Sequence, residues 1–255
     1  MSIKLKSPAE IEILKEGGKR HALILRTLAE MVEPGVSTMF LEEEARRLIH
    51  EGGDKPSLLG YKPDWATVPY PASLCISIND EVVHGIPNAK RILKQGDIVS
   101  IDLTLTHKGL VTDSAVTVPV GAIDDESRRL IDVTEEALME GIKMAQVGNH
   151  IGDIGYAISK FVKPTGFSLA KDLVGHGVGY AVHEDPYVPN EGKAGEGPEL
   201  VPGMVIAIEP MVNVGKGGVT ETEDAYTIVT KDGSRSAHFE HTVAITENGP
   251  IILTL

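Results

Sequence analysis

Cys75 is the only cysteine in the 255 residues, so no disulfide can form within the chain and a reducing compartment is the expected setting. No apolar run approaches the ~20 residues that cross a bilayer, and the opening Met-Ser-Ile-Lys-Leu-Lys lacks the apolar stretch of a secretion signal. Basic residues are few, with 24 lysines and arginines against 37 acids and a net charge of −13. That balance argues against a nucleic-acid backbone or an anionic membrane as the main partner, although it leaves room for a local basic patch. Low-complexity tracts and flexible linkers are missing too, so residues 1–255 are treated as one structural domain. The hydrophobic content of 42% is enough for a large core. A phosphate loop is not indicated, because Val174-Gly-His-Gly-Val-Gly179 has neither the GxGxxG spacing, nor a Walker lysine, nor a βαβ context. A cytoplasmic protein with no membrane attachment is the expectation.

What the chain does contain is a repeat. Val83-His84-Gly85-Ile86-Pro87 answers to Val182-His183-Glu184-Asp185-Pro186. Gly96-Asp-Ile-Val-Ser-Ile-Asp102 answers to Gly203-Met-Val-Ile-Ala-Ile-Glu209, and Asp113-Ser-Ala-Val-Thr-Val118 answers to Glu240-His-Thr-Val-Ala-Ile245. The order is the same in both halves, which divide near residues 121 and 122. A purely structural repeat needs only its apolar periodicity. Here Asp102, Asp113, Glu209 and Glu240 also sit inside β-branched strand sequence, where burying a carboxylate is costly without a cation or hydrogen-bond donors.

Local signals give each half two helices followed by strands, an α+β pattern without βαβ alternation. Ser7-Pro8-Ala9-Glu10 is a capping box with proline at the first helical position, opening a helix that runs towards Met31 and ends before Glu33-Pro34-Gly35. A second helix fits about 38–50. Asp124 opens a third, with Leu130, Val133, Ala137, Leu138 and Ile142 on one face and a stop at Gly148. A fourth spans about 151–162 and ends before Pro164. Strands are expected near 73–78, 98–106, 111–120, 173–182, 204–212, 225–230 and 237–246.

Strand geometry brings the first two acids together. A two-residue hairpin loop at His107-Lys108 sets Asp102 opposite Asp113, and a loop at Lys108-Gly109 makes them diagonal neighbours on the same face. A three-residue loop would send them to opposite faces. In the second half, alternation puts His238, Glu240 and Thr242 on one side of their strand. His176, between glycines that admit close chain approach, can add a nitrogen. Two Asp, two Glu and one His suit two divalent ions sharing a water and do not suit a cysteine-rich structural zinc site.

Taken together, Ser-Ile-Asn-Asp-Glu-Val-Val-His84-Gly-Ile-Pro, Asp-Ile-Val-Ser-Ile-Asp102, Gly-His176-Gly-Val-Gly-Tyr-Ala-Val-His183-Glu-Asp-Pro, Ile-Glu209-Pro-Met-Val-Asn and Phe-Glu240-His-Thr resemble the type I methionine aminopeptidases over nearly the whole chain. The resemblance implies the pita-bread α/β fold, pseudo-twofold in its halves, around a curved antiparallel sheet with a dinuclear metal site on its inner face. It implies Asp102, Asp113, His176, Glu209 and Glu240 as metal ligands, with two divalent ions drawn from cobalt, manganese, iron or zinc. His84 falls where the family has a histidine near the substrate's N-terminal residue and scissile amide, and His183 where one contacts the scissile carbonyl. Glu209, a ligand beside the bridging water, is the proton shuttle in this reading. The implied activity is removal of N-terminal methionine before a small second residue, by a monomer that meets nascent polypeptides at the ribosome.

For the methionine pocket, Tyr70 and Cys75 in Tyr70-Pro71-Ala-Ser-Leu-Cys75 are the candidates. Tyr226 stands where many members carry tryptophan, and His238 where glutamine is common. Residues 62–69 look like an insertion near the pocket mouth relative to shorter bacterial members. Competing readings are a peptidase of the aminopeptidase P or prolidase kind, which shares the five ligands but usually carries an N-terminal domain, and a non-catalytic peptide-binding module, which typically lacks some of the ligands. The chain begins at the catalytic core and has no long insertion between His183 and Glu209, which favours the short bacterial form.

Overall fold

Helix-capping chemistry fixes the frame. In the computed structural model, which describes residues 2–63 and 66–255, the Ser7 box forms as expected: Glu10 Oε2 accepts from Ser7 N at 2.8 Å and Ser7 Oγ from Glu10 N at 3.4 Å. It opens α1, Pro8–Glu30. Ser37 caps α2, Thr38–Glu51, and Asp124 caps α3, Asp125–Lys143. The fourth helix, α4, is Ile151–Val162. The third ends before the expected stop at Gly148, because Met144 N and Ala145 N turn to the tighter i−3 carbonyls of Gly141 and Ile142, both at 3.0 Å.

These helices cover a nine-stranded sheet whose pairs are all antiparallel. From one edge the order is Lys55–Pro56, Ile98–His107, Leu110–Pro119, Glu240–Thr246, Val205–Ile208, Val174–Gly177 and Glu184–Pro189. Leu74–Ile78 also pairs Ile98–His107, and Gly249–Ile252 also pairs Glu240–Thr246. Two helix-covered cores mirror the repeat. Leu25, Leu28, Leu41, Ala45 and Ile49 of α1 and α2 pack on Leu74, Ile76, Ile101, Leu103 and Leu105. Leu130, Leu138, Ile142, Ile154 and Ile158 of α3 and α4 pack on Ile206, Ile208, Val243 and Ile245. Each apolar set occupies one sheet face and leaves the alternate residues for the other.

Two strands read from sequence as continuous are broken, and each break falls beside an acid. Val205–Ile208 stops before Glu209 and Pro210, which has no N–H for the ladder. The chain resumes as Met211–Asn213 in a separate three-stranded sheet with Ser236–His238 and Ser168–Leu169. Phe239 likewise separates Ser236–His238 from Glu240–Thr246. The expected strand at 173–182 is shorter, Val174–Gly177, and residues beyond it turn back to pair as Glu184–Pro189. Near 225–230 only Ile228–Thr230 is strand.

That turn is held by a buried ion pair. Lys6 Nζ lies 2.7 Å from Glu184 Oε2, with side chains 1% and 5% exposed, while Glu184 Oε1 accepts from Ala181 N at 2.8 Å and from Tyr180 N. Removing one member of a buried pair leaves the other charge uncompensated, at a cost of about 3 kcal/mol or more. Lys6→Ala is therefore expected to lower the thermal midpoint clearly, and a melt coinciding with wild type would deny the pair this role. Among the described residues no helix is long and apolar enough to cross a membrane.

Candidate metal centre and substrate cavity

The hairpin joining Ile98–His107 to Leu110–Pro119 settles the first acid pair. His107 pairs with Leu110 across a Lys108-Gly109 loop with φ of 47° and 87°, so Thr104 faces Asp113 and Asp102 faces Ala115. This is the diagonal register of the two considered, with both carboxylates on one face. Asp113 Oδ1 accepts from Thr104 Oγ1 at 2.8 Å. Glu240, first residue of its strand, pairs with Ala115 across the junction of the halves. Glu209 follows the end of its strand, its backbone oxygen accepting from Asn190 Nδ2 at 3.0 Å.

His176 enters from Val174–Gly177. Its Nδ1 is 2.9 Å from Gly177 O, which makes Nδ1 the donor and leaves the Nε2 lone pair turned to the acids. Nε2 lies 3.4 Å from Glu209 Oε1 and 3.9 Å from Asp113 Oδ2. Ligand atoms of Asp113, His176 and Glu240 all fall within 4.8 Å of one another.

Electrostatics explains what the cluster needs. Burial, with repulsion from neighbouring acids, pushes Asp113 and Glu240 well above the usual carboxylate range. Burial first, and Glu209 among the smaller causes, raises Asp102 to about 6. Burial also raises Glu209 and holds His176 down to about 3. Glu240 Oε1 is buried without a hydrogen-bond partner among the described residues. Converging hard oxygens, one imidazole lone pair and an unsatisfied carboxylate oxygen are the donor set a divalent cation satisfies.

A cavity of about 490 Å³ opens over these residues, and His84, His183, Tyr70, Cys75 and Tyr226 all line it. His84 has φ 61°, a left-handed conformation uncommon outside glycine that accumulates at functional sites. The next residue, Gly85, runs so close to its neighbour that a Cβ would lie 2.1 Å from Ile76 O. His183 stacks edge-on against His176, ring centroids 4.4 Å apart. Burial lowers both His84 and His183 to about 4, so each is a neutral imidazole near pH 7.

Sequence reasoning missed Tyr61, whose hydroxyl lies 2.8 Å from His183 Nδ1. With the hydroxyl donating, His183 carries its proton on Nε2. The only available signal was its position beside the 62–69 stretch. That stretch is closed at its base by Tyr70 N donating to Tyr61 O at 2.8 Å; its Asp64 and Trp65 lie outside the described residues. Tyr70 and Tyr226 meet edge to face at 5.0 Å and pack with Cys75. Cys75 is the register partner of Asp102, so the pocket wall adjoins the acids, and burial raises its thiol far from ionisation.

The family model for metallopeptidase family M24 matches residues 12–247. The chain belongs to metallopeptidase family M24. Among curated M24 relatives, the methionine aminopeptidase of Aquifex aeolicus is 48% identical, covering 100% of this chain and 99% of its own. Methionine aminopeptidase 1 of Bacillus subtilis is 46% identical, with 98% of each chain covered. The crystal structure of methionine aminopeptidase from Thermotoga maritima superposes with a TM-score of 0.95 at 43% identity, covering 99% of both chains. The M24 fold is thus the pita-bread arrangement expected from sequence, and membership of a metallopeptidase family agrees with a site whose donor set suits a divalent metal.

Proposed function

We propose that this M24 peptidase removes the N-terminal methionine of nascent proteins and peptides when the second residue is small. The observation that carries the reading is the joining of the acid-and-histidine centre to an apolar pocket wall formed by Tyr70, Cys75 and Tyr226. In it Asp102, Asp113, His176, Glu209 and Glu240 hold two divalent ions drawn from cobalt, manganese, iron or zinc. When bound, such ions lower the pKa of water and polarise a carbonyl. Glu209 accepts the nucleophile's proton on a carboxylate oxygen and passes it to the leaving amine. His183 donates Nε2–H to the scissile carbonyl oxygen as it gains charge, in the tautomer that Tyr61 favours, and His84 faces the scissile amide. We take residues 1–255 as one catalytic domain whose halves meet near 121 and 122, acting as a monomer in the cytoplasm.

A peptide panel at defined metal loading tests this. Met-Ala and Met-Gly peptides should be cleaved, Met-Leu poorly because the second side chain overpacks its site, and an acetylated Met-Ala peptide should be inert. Cleavage of Xaa-Pro peptides with none of Met-Ala would replace the reading by a prolidase-like one.

Association with the ribosome is supported by a second surface. In a chain of net charge −13, Lys160, Lys163, Lys171, Lys216 and Lys231 line one hollow and outnumber the Glu191 and Asp232 that share it. A local cationic face of this kind is attracted to phosphate backbone in a salt-dependent way. Reversing Lys163 and Lys231 to Glu should weaken cosedimentation with ribosomes and leave peptide cleavage intact; unchanged cosedimentation would remove this surface from the proposal.

A further inference from the structure

We infer that His238 is a positioning residue for the metal centre, holding the outer oxygen of Glu209 so that its carboxylate keeps one orientation towards cation and nucleophile. This rests on the proposed role of Glu209 as ligand and proton carrier. His238 is 2% exposed, and its backbone is clamped from both sides by one hydroxyl: Thr117 Oγ1 accepts from His238 N at 2.9 Å and donates to His238 O at 2.8 Å. It pairs in register with Met211, just past Glu209 and Pro210, which delivers the imidazole beside that acid. Nε2 lies 3.4 Å from Glu209 Oε2 and has no aligned hydrogen-bond partner among the described residues.

The other oxygen, Oε1, is 3.4 Å from His176 Nε2, so Glu209 sits between two imidazoles of different kinds. His176 spends its Nδ1 proton on Gly177 O and turns a lone pair inward. The Nε2 of His238 completes the set as a donor. A buried N–H without an acceptor costs about 1–3 kcal/mol, and a small rotation of the carboxylate closes 3.4 Å to hydrogen-bonding distance. An ionised carboxylate has acceptor sites enough to serve a cation through one oxygen and His238 through the other. Groups that orient ligands in this way typically contribute about 10–100-fold to metal affinity or activity.

The test compares His238→Ala, His238→Gln and Glu209→Ala. Apo protein is titrated with manganese or cobalt by calorimetry, Met-Ala cleavage is measured at saturating metal, and thermal melts confirm folding. His238→Ala should bind metal about 10-fold more weakly and lose about 10–100-fold in kcat with little change in KM. His238→Gln, whose amide supplies an N–H donor, should recover most of both. Wild-type affinity and turnover in His238→Ala, a glutamine variant as impaired as alanine, or a loss confined to KM would each overturn the inference. Full turnover in Glu209→Ala would instead defeat the role of Glu209 on which it rests.

Discussion

Asp113→Ala and Glu209→Ala are each expected to abolish cleavage of a Met-Ala peptide while the protein still folds. Asp113 is central to the acid cluster: burial first, then its neighbours Asp102 and Glu209, raise its pKa, and Thr104 is its hydroxyl donor. Deleting either carboxylate relieves like-charge repulsion in the metal-free protein, so the fold should not suffer. The loss falls instead on metal binding and on what the metal contributes. Polarisation by a bound cation supplies several kcal/mol of transition-state stabilisation, which corresponds to about 10³-fold or more in rate. Turnover, metal content and circular dichroism measured together check this. Variants that remain folded, metal-poor and active would remove these acids from the chemistry.

The second large effect is expected at the paired histidines. His183→Ala and His84→Ala should retain metal and lose about 10²-fold or more in kcat, the usual cost of removing an oxyanion donor or an acid–base group. The geometry favours a loss in turnover over one in binding. His183 is locked between His176, 4.4 Å from ring to ring, and the Tyr61 hydroxyl at 2.8 Å, an arrangement that fixes the ring and, with that hydroxyl donating, leaves Nε2–H for the substrate. His84 is held in a left-handed backbone conformation between Val83 of one small sheet and the tightly placed Gly85. Near-wild-type kcat in either variant would make that histidine a packing residue. So would a loss seen only in KM.

Helix ends were legible because their chemistry is local. Ser7, Ser37 and Asp124 each cap through their own side chains, and α4 ends before Pro164 as its sequence demands. That the four acids would face one cavity was legible because carboxylates in β-branched strands contradict their surroundings. The hairpin register was narrowed to alternatives that shared one face, and Lys108-Gly109 supplies the pair of positive φ values that selects between them. Strand interruptions were harder. Pro210 marked one, but nothing local at Phe239 announces that the chain changes sheets there. The strands Glu81–Val83 and Glu184–Pro189 are short and take their partners from distant segments. Tyr61 and the neighbourhood of His238 were out of reach for the same reason. His183 lies 122 residues from Tyr61, and a hydrogen bond over that separation leaves no periodic trace.

The seam between the repeats is where the candidate site is assembled. Glu240–Thr246 and Leu110–Pro119 pair in register at Glu240↔Ala115 and His241↔Ser114, Thr242 Oγ1 adds bonds to Asp113 N and Asp113 O, and the acids lie on both sides of that join. Asp102 and Asp113 come from the first repeat, while His176, Glu209 and Glu240 come from the second. Neither repeat alone holds the full set of proposed donors. An interface that joins two like units in this way draws its residues from both sides. Cutting the chain near residue 121 should therefore leave two pieces that recover activity only when mixed.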